Sequence, residues 1–569
     1  MTCQPRNTIL PLLLAFVTSA GAVAPAHAQA LRINEVQVAG NLTPDSGSEP
    51  WVEFVNIGKS EVRLDEFVLR TDGKSWQLPA EVVAPGEVRV VHSPVAIDAP
   101  GARFLDGDVT ELALLTTQQH VISAVVDRVT LPMAAPNESF GRFPNGTGQF
   151  RVYTAGDISY AIPNRDIGFV RKLASRTAFR PRDSSPNAIV RHNGQFWILG
   201  GWSNFAHDVW YSVADVWRSS DLIRWQLVNK SPPYSPYNCF VSWQGRIWAL
   251  GGESYSSSNG LTWRRETSTP CDRAVTFRNG IVVIAGTTVR MTLDGTNWTT
   301  LTTSAPWGPG RVEPFVVVHR NQLWLIGGTT NYGRPDEVLH NDVWSSLDGV
   351  TWQLVNAKSE WNPRRWSTAT SYDDKIFLVG GANFAYWPDD YGNTSEVWFT
   401  SDGTTWMELK SERQWPARHA AFVTNGIQKD LVVIAGYGHG GVSRIYNDAW
   451  SLRSRIYFSK PTGDLHSLSS WGRNMDGSGP PPTSFSADHQ VFVLRNRDSF
   501  KADERLSVNG AGSRILVGDG DANRPVQLDL RNAIAVHQPL YLYGNSTTIV
   551  RGHLPEILYQ DDGAKLVVE

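Results

Sequence analysis

Residues 323–352 read LWLIGGTTNYGRPDEVLHNDVWSSLDGVTW. An apolar strand, Trp324-Leu325-Ile326, stops at the pair Gly327-Gly328. After a loop comes a second short strand, Asp342-Val343-Trp344. The turn Asp348-Gly349 and then Trp352 close the stretch. Apolar runs of strand length punctuated by glycine and Asp-Gly specify antiparallel strands joined by tight hairpins. The same marks recur through the middle of the chain. The strand with its small pair occurs at Trp197 to Gly201, Trp248 to Gly252, Ile284 to Gly286, Trp324 to Gly328, Phe377 to Gly381 and Val433 to Gly436, six copies about 35 to 55 residues apart. The second mark follows as Asp215-Val216-Trp217, Glu396-Val397-Trp398 and Asp448-Ala449-Trp450. The third returns at Asp221 to Trp225, Asn259 to Trp263, Asp294 to Trp298 and Asp402 to Trp406. Repeats of four short strands cannot bury a hydrophobic face alone, so neighbours must cover one another. Six radial sheets closed into a β-propeller satisfy that need.

Each mark has a physical role. The glycine pair allows close packing where blades crowd the axis. The Trp residues fill the wedge between blades with a large apolar area. The combined pattern resembles the Kelch propeller family over Ile167 to Arg455. The sixth repeat lacks the D-G-x-x-W strand, whereas Phe169 to Leu173 stands before the first repeat with no partner of its own. We expect residues 169–173 to complete the last blade and latch the ring. The Asp-Gly turns also resemble the Asp-box of sialidases, short of one residue; in either family that box is a folding turn and carries no chemistry.

Outward from the repeats, the chain divides into a signal peptide (1–28), a β-sandwich (29–164), the six-bladed propeller (165–456) and a β-rich C-terminal module (457–569), all of an all-β protein. Arg6, the apolar run Ile9 to Val17 and the cleavage site Ala26-His27-Ala28 make up the signal, so the expected location is secreted: extracellular, periplasmic or cell surface. No later stretch is apolar enough to predict a membrane span. In the segment from Leu31 to Asn164 the order INEV, WVEFVN, FVLRTDGKSWQLP, VDRVTLP and ESFGRFPNGTG resembles a lamin-tail domain, which implies an immunoglobulin-like sandwich without catalytic residues. After Thr462 short strands follow a loop-rich stretch, and the pattern leaves a small sandwich and a few coils of β-helix as alternatives. The 569-residue chain carries a net charge of -3, which argues against a nucleic-acid partner.

Short catalytic signatures are absent: no H-E-x-x-H, no G-x-S-x-G and no phosphate loop. Strand parity instead places the two-three loops and the four-one loops on one face. Those loops hold Trp202, Tyr237, Trp307, Arg311, Tyr332, Trp361, Arg365, Trp387, Arg418, His419 and Tyr437. Flat rings suit sugar or peptide faces and guanidinium groups suit carboxylates, so these residues are the expected ligand-binding set for an anionic glycan or an extracellular protein. The expected function is recognition or adhesion; the alternative is an extracellular enzyme acting on a polysaccharide or similar polymer at the same face. For an enzyme, one of Glu313, Asp336, Asp389 or Asp390 must be buried beside an Arg or His under an open cleft. No cofactor is required by the pattern, although Asp519, Asp521 and Asn523 have the D-x-D-x-N spacing of a calcium loop. Cys239 and Cys271 are read either as a disulfide or as two buried free thiols. Copper-radical oxidases share the Kelch propeller, but the spacing of Cys239, Cys271, His419 and His439 does not match their metal site.

Overall fold

The computed structural model describes residues 30–37, 50–71, 74–92, 95–96, 105, 111–118, 121–131, 138–143, 149–154, 170–174, 177–184, 188–203, 211–386, 392–411, 414–427, 429–438, 444–502, 506, 508, 510, 513–531, 540–551 and 557–569. The signal segment 1–28 lies outside them. The chain is all-β and divides into two compact units.

In the N-terminal unit the strands Glu138–Phe143, Leu31–Gln37, Trp51–Asn56 and Val88–Val91 pair antiparallel in that order. A second antiparallel sheet runs Val121–Thr130, Glu111–Gln118, Phe67–Thr71, Lys74–Gln77 and Val95–Ala96. Leu31, Ile33, Phe54, Leu69, Trp76 and Leu114 are buried, as alternation demands of a sheet with one inner face. Asp127 and Arg142 tie the sheets: Ile33 N–H donates to Asp127 at 2.9 Å and Arg142 donates to the Ile33 carbonyl at 2.8 Å.

In the second unit six sheets span residues 189–229, 239–266, 273–302, 311–356, 368–408 and 422–452. Each innermost strand packs on the next, and the sixth on the first, so the ring is closed. The outer strand of blade six is Val170–Ala174, antiparallel to Arg444–Leu452, with Val170 opposite Leu452 and Lys172 opposite Trp450. The latch expected at 169–173 is formed, shifted by one residue. It covers an edge that an unclosed last blade would expose.

The repeat marks acquire atoms. In the turn at Asp348 the carboxylate accepts the N–H groups of Val350 and Thr351, both at 2.8 Å, and the Trp352 indole donates to the Gly349 carbonyl at 3.1 Å. Gly403, at the same turn of blade five, has φ +78° and lies against the Trp324 ring of blade four; a Cβ would enter that ring. The acid of the D-V-W mark has a repeated partner. Arg182 pairs with Asp215, Arg311 with Asp342, Arg364 with Glu396 and Arg418 with Asp448. Each arginine also donates to the carbonyl at the end of its blade's second strand: Gly200, Gly327, Gly380 and Ala435. Trp344, Trp398 and Trp450 donate to the same acids at 2.7 to 2.8 Å.

The C-terminal module resolves the alternatives that its sequence leaves open. Arg455–Ser459, Gln490–Leu494, Arg514–Val517, Leu540–Leu542 and Ile557–Gln560 pair in parallel. Ser499–Ala502, Val526–Arg531, Ser546–Arg551 and Lys565–Val568 make a second parallel sheet. Parallel neighbours need crossovers, and here every crossover after Gln490–Leu494 is a strand of the other sheet, which is a β-helix. Its first coils share a core with blades five and six, where Phe458, Val491, Tyr541 and Tyr543 join Phe399, Leu409, Val433 and Leu452. The Tyr543 hydroxyl donates to the Glu408 carbonyl at 3.0 Å.

At two expected sites the side chains have protein partners. Asp519, Asp521 and Asn523 are engaged with neighbouring side chains and backbone. Asp519 faces Arg495 and Arg524 at 3.3 and 3.5 Å and accepts from Asn545 at 2.8 Å. Asp521 accepts Arg524 at 2.7 Å and the Asn523 N–H at 3.0 Å. Both carboxylates are thus paired with guanidinium groups. Cys239 and Cys271 carry no disulfide. They are neighbours at the border of blades two and three, where burial and the hydrogen bond with Cys239 push the Cys271 thiol well above its ordinary value and hold it neutral.

Candidate ligand well

The six innermost strands enclose a cavity of about 1400 Å³ on the propeller axis. Its wall is made of the small and β-branched residues these strands present, among them Val190, Val241, Ala274, Val316, Thr368 and Val423. Polar and aromatic groups gather at the end where the innermost strands begin. Six rings stand there: Trp202, Tyr237, Tyr332, Trp366, Phe384 and Tyr437. Among them Tyr237 is 64% exposed, Phe384 49% and Tyr332 47%, so ring surface is open to a ligand.

Of the residues expected at the face, Trp202, Tyr237, Tyr332, His419 and Tyr437 line this well. His419 is a positioned wall. Its Nδ1 meets Asn393 Oδ1 at 2.5 Å, and its ring lies 4.6 Å from Trp366 and 5.0 Å from Tyr437. Burial drives its pKa down to about 3, so the imidazole is neutral. Since Asn393 Oδ1 only accepts, Nδ1 carries the proton and Nε2 is left as an acceptor. Arg365 is held beside the well by the 3.9 Å contact with Trp366, the 5.3 Å contact with Tyr332 and two 2.8 Å hydrogen bonds to Glu337. Its charge is neutralised and its face is covered.

Four expected residues are buried away from the well. Arg311 and Arg418 are 4% and 0% exposed and serve the blade bridges. A guanidinium in that position is bound to its acid and a carbonyl and is shut away from solvent; the Nε of Arg311 is buried without a partner among the described residues. Trp307 is buried edge-on to Trp352 at 4.8 Å, and Trp361 edge-on to Trp406 at 6.0 Å. Both fill blade wedges, the role that the sequence assigns to other tryptophans. Trp387, with Asp389, Asp390 and His439, lies outside the described residues.

The structure adds groups that the sequence reading passed over: Asp183, Arg273, Trp366 and Phe384. Asp183 is 8% exposed, and the Trp202 N–H donates to it at 3.1 Å. Burial is the main cause that raises its carboxyl well above the ordinary range, and the charge of Glu313 adds to it. Glu313 lies in the left-handed region at φ +53° immediately before Pro314, where a non-glycine residue is strained. Its Oε2 is buried with no hydrogen-bond partner among the described residues. Burial raises its pKa, opposed by Arg273 and Arg365. A buried acceptor without a donor costs about 1 to 3 kcal/mol, and strain of this kind clusters at functional sites.

Fold and site define a six-bladed β-propeller with an aromatic-rimmed axial well. The chain belongs to the family described as the DUF6242 beta propeller domain, whose model matches residues 171–555. Among solved structures, the one titled "Structure of YjhT" aligns with a TM-score of 0.36 at 13% identity, covering 48% of this chain and 95% of that one. No curated protein matches the chain.

Proposed function

We propose that this chain is a secreted or cell-surface recognition protein whose propeller captures a glycan at the mouth of the axial well. One observation carries the reading: six aromatic rings stand around a floor of hydrogen-bonding carboxyls at the opening of a cavity large enough for sugar residues. Sugar rings stack on aromatic faces while their hydroxyls donate to acceptors below. The exported location rests on the sequence of residues 1–28, and the lamin-tail-like sandwich is assigned the part of a spacer. The ligand class shifts from the anionic glycan that the loop arginines suggest, because Arg311 and Arg418 are buried in ion pairs and Arg365 is bound to Glu337. A neutral or basic glycan fits the well's charge better. A glycan array probed with the full chain tests this: we expect capture of neutral or basic glycans, and loss of it in Tyr237→Leu/Tyr332→Leu, whose rings are open to solvent. Capture confined to acidic glycans, or capture unaffected by both substitutions, contradicts the reading.

A second reading, an extracellular enzyme cutting a polysaccharide at the same face, is favoured by Glu313, a largely buried carboxyl near Arg273 and Arg365 with an unbonded oxygen. Release of new reducing ends from a captured polymer, abolished in Glu313→Gln with capture retained, would establish it.

A further inference from the structure

The well is uneven in charge. On the side of blade four Glu313 is near two guanidinium groups, Arg273 and Arg365. On the side of blade one no basic group among the described residues acts on Asp183: the groups that do are the Trp202 N–H, its own backbone and the carboxyl of Glu313. Asp272 also lines the cavity, where it accepts the Gly286 N–H at 2.8 Å and, being an acid, supplies no counter-charge. His419 is neutral and adds no positive charge. Beside Asp183 stand two rings of the rim, Trp202 and Tyr237, packed edge to face with centroids 4.9 Å apart. Both line the same cavity as Asp183. A buried carboxyl without a counter-ion among the described residues and an aromatic pair at one spot make a receptor for a protonated amine. The rings attract the cation through their faces, and the carboxylate supplies the opposite charge that desolvation otherwise makes costly.

We propose that the well is selective for glycans carrying a free amine, with Asp183, Trp202 and Tyr237 holding the ammonium group of an amino sugar and Glu313 accepting a neighbouring hydroxyl. This rests on the glycan reading of the same site. The division of labour follows from the charges. The ammonium goes to the carboxyl on which no cation acts among the described residues, and the uncharged hydroxyl goes to Glu313, whose Oε2 needs a donor and whose burial Arg273 and Arg365 partly offset. An N-acetylated sugar keeps the ring for stacking and loses the charge.

The test is a titration of the full chain, read by tryptophan fluorescence and by calorimetry at pH 7. The probes are a glucosamine oligomer, the matching N-acetylglucosamine oligomer and a lysine tetrapeptide. The expected result is binding of the glucosamine oligomer at least about tenfold tighter than the N-acetylated one, a difference of about 1.4 kcal/mol. Asp183→Asn should erase the difference while leaving the weaker binding in place, with an unchanged melting curve. Tyr237→Leu, at an exposed position, should reduce the preference even if Asp183→Asn folds poorly. Equal affinity for the two oligomers overturns the amine proposal and leaves the glycan reading standing. No binding of either oligomer removes both. A lysine peptide that binds as tightly as the glucosamine oligomer overturns the assignment to sugars.

Discussion

At the scale of single residues, the two arginines at Arg364 and Arg365 show how close the structural and the exposed roles lie. Arg364 is fully buried on Glu396, and the next residue stands beside the well. The repeated arginine is followed by Asp183, Val312, Arg365 and His419 in blades one, four, five and six. Aligning the repeats on that arginine therefore separates a constant structural position from a variable one that faces the axis. This signal was legible, and it points to Asp183, which the search for aromatic loops passed over. What the sequence alone could not reveal is which guanidinium finds an acid in its own blade, since Asp342 and Asp448 lie about 30 residues downstream. The bridge predicts a large effect: Arg418→Ala strands Asp448 in a buried site and should destabilise by about 3 to 5 kcal/mol in urea denaturation. Arg418→Met with Asp448→Asn should recover at least half of that, because no charge is left behind and the amide oxygen still accepts from Trp450. Lys375 is a second uncompensated charge. Its Nζ lies 5.8 Å from the Phe458 ring and has no hydrogen-bond partner among the described residues, and burial lowers its pKa from 10.5 to about 7, with Arg473 and Arg320 lowering it further against Asp373 and Asp374. Between those two values the unfolded chain binds a proton that the folded chain does not. Stability from this group therefore rises with pH from about 7 to 10.5 and is flat below. Lys375→Met should raise Tm at pH 7 and flatten that rise; an unaltered pH profile would show that the ammonium reaches solvent.

At the scale of elements, the strand Val170–Ala174 is worth more to the ring than its five residues suggest. It joins the two ends of a chain of blades, so its loss opens an edge on Arg444–Leu452 and frees the first blade from the sixth. Lys172→Pro removes a backbone donor and places a ring in the strand opposite Trp450. We expect more than a local effect: thermal unfolding followed by tryptophan fluorescence should split into two transitions, the first from blade six. A single transition with an unchanged midpoint would mean that the blades hold the ring without the latch. Here the sequence was informative, since a sixth repeat short of one strand and an orphan strand upstream match by subtraction. The C-terminal strands were less so. Gln490–Leu494 and Arg514–Val517 are apolar runs that read the same in a sandwich or a β-helix, and only their parallel register separates the two.

At the scale of the whole second unit, the propeller's last two blades and the β-helix are one cooperative body. Phe399, Val433 and Leu452 of the blades and Phe458, Tyr541 and Tyr543 of the helix belong to one buried cluster. A polar contact crosses the same border, Lys410 with Asp561 at 2.7 Å, and from blade four the Arg320 guanidinium reaches Asn474 at 3.0 Å. The family match reaches residue 555, well past the last propeller strand at Leu452, as expected if both parts are inherited together. A chain cut after residue 456 would present the outer sides of blades five and six to water. Each large apolar side chain re-exposed costs about 1.5 to 3 kcal/mol, and several are involved. That is a large share of the stability of an ordinary domain. Residues 165–569 should therefore melt in one calorimetric transition, and residues 165–456 should aggregate or melt at least about 10 °C lower, as the loss of several kcal/mol implies. Equal Tm values for the two lengths would mean that the shared core contributes nothing and that the β-helix is a separate domain resting on the ring.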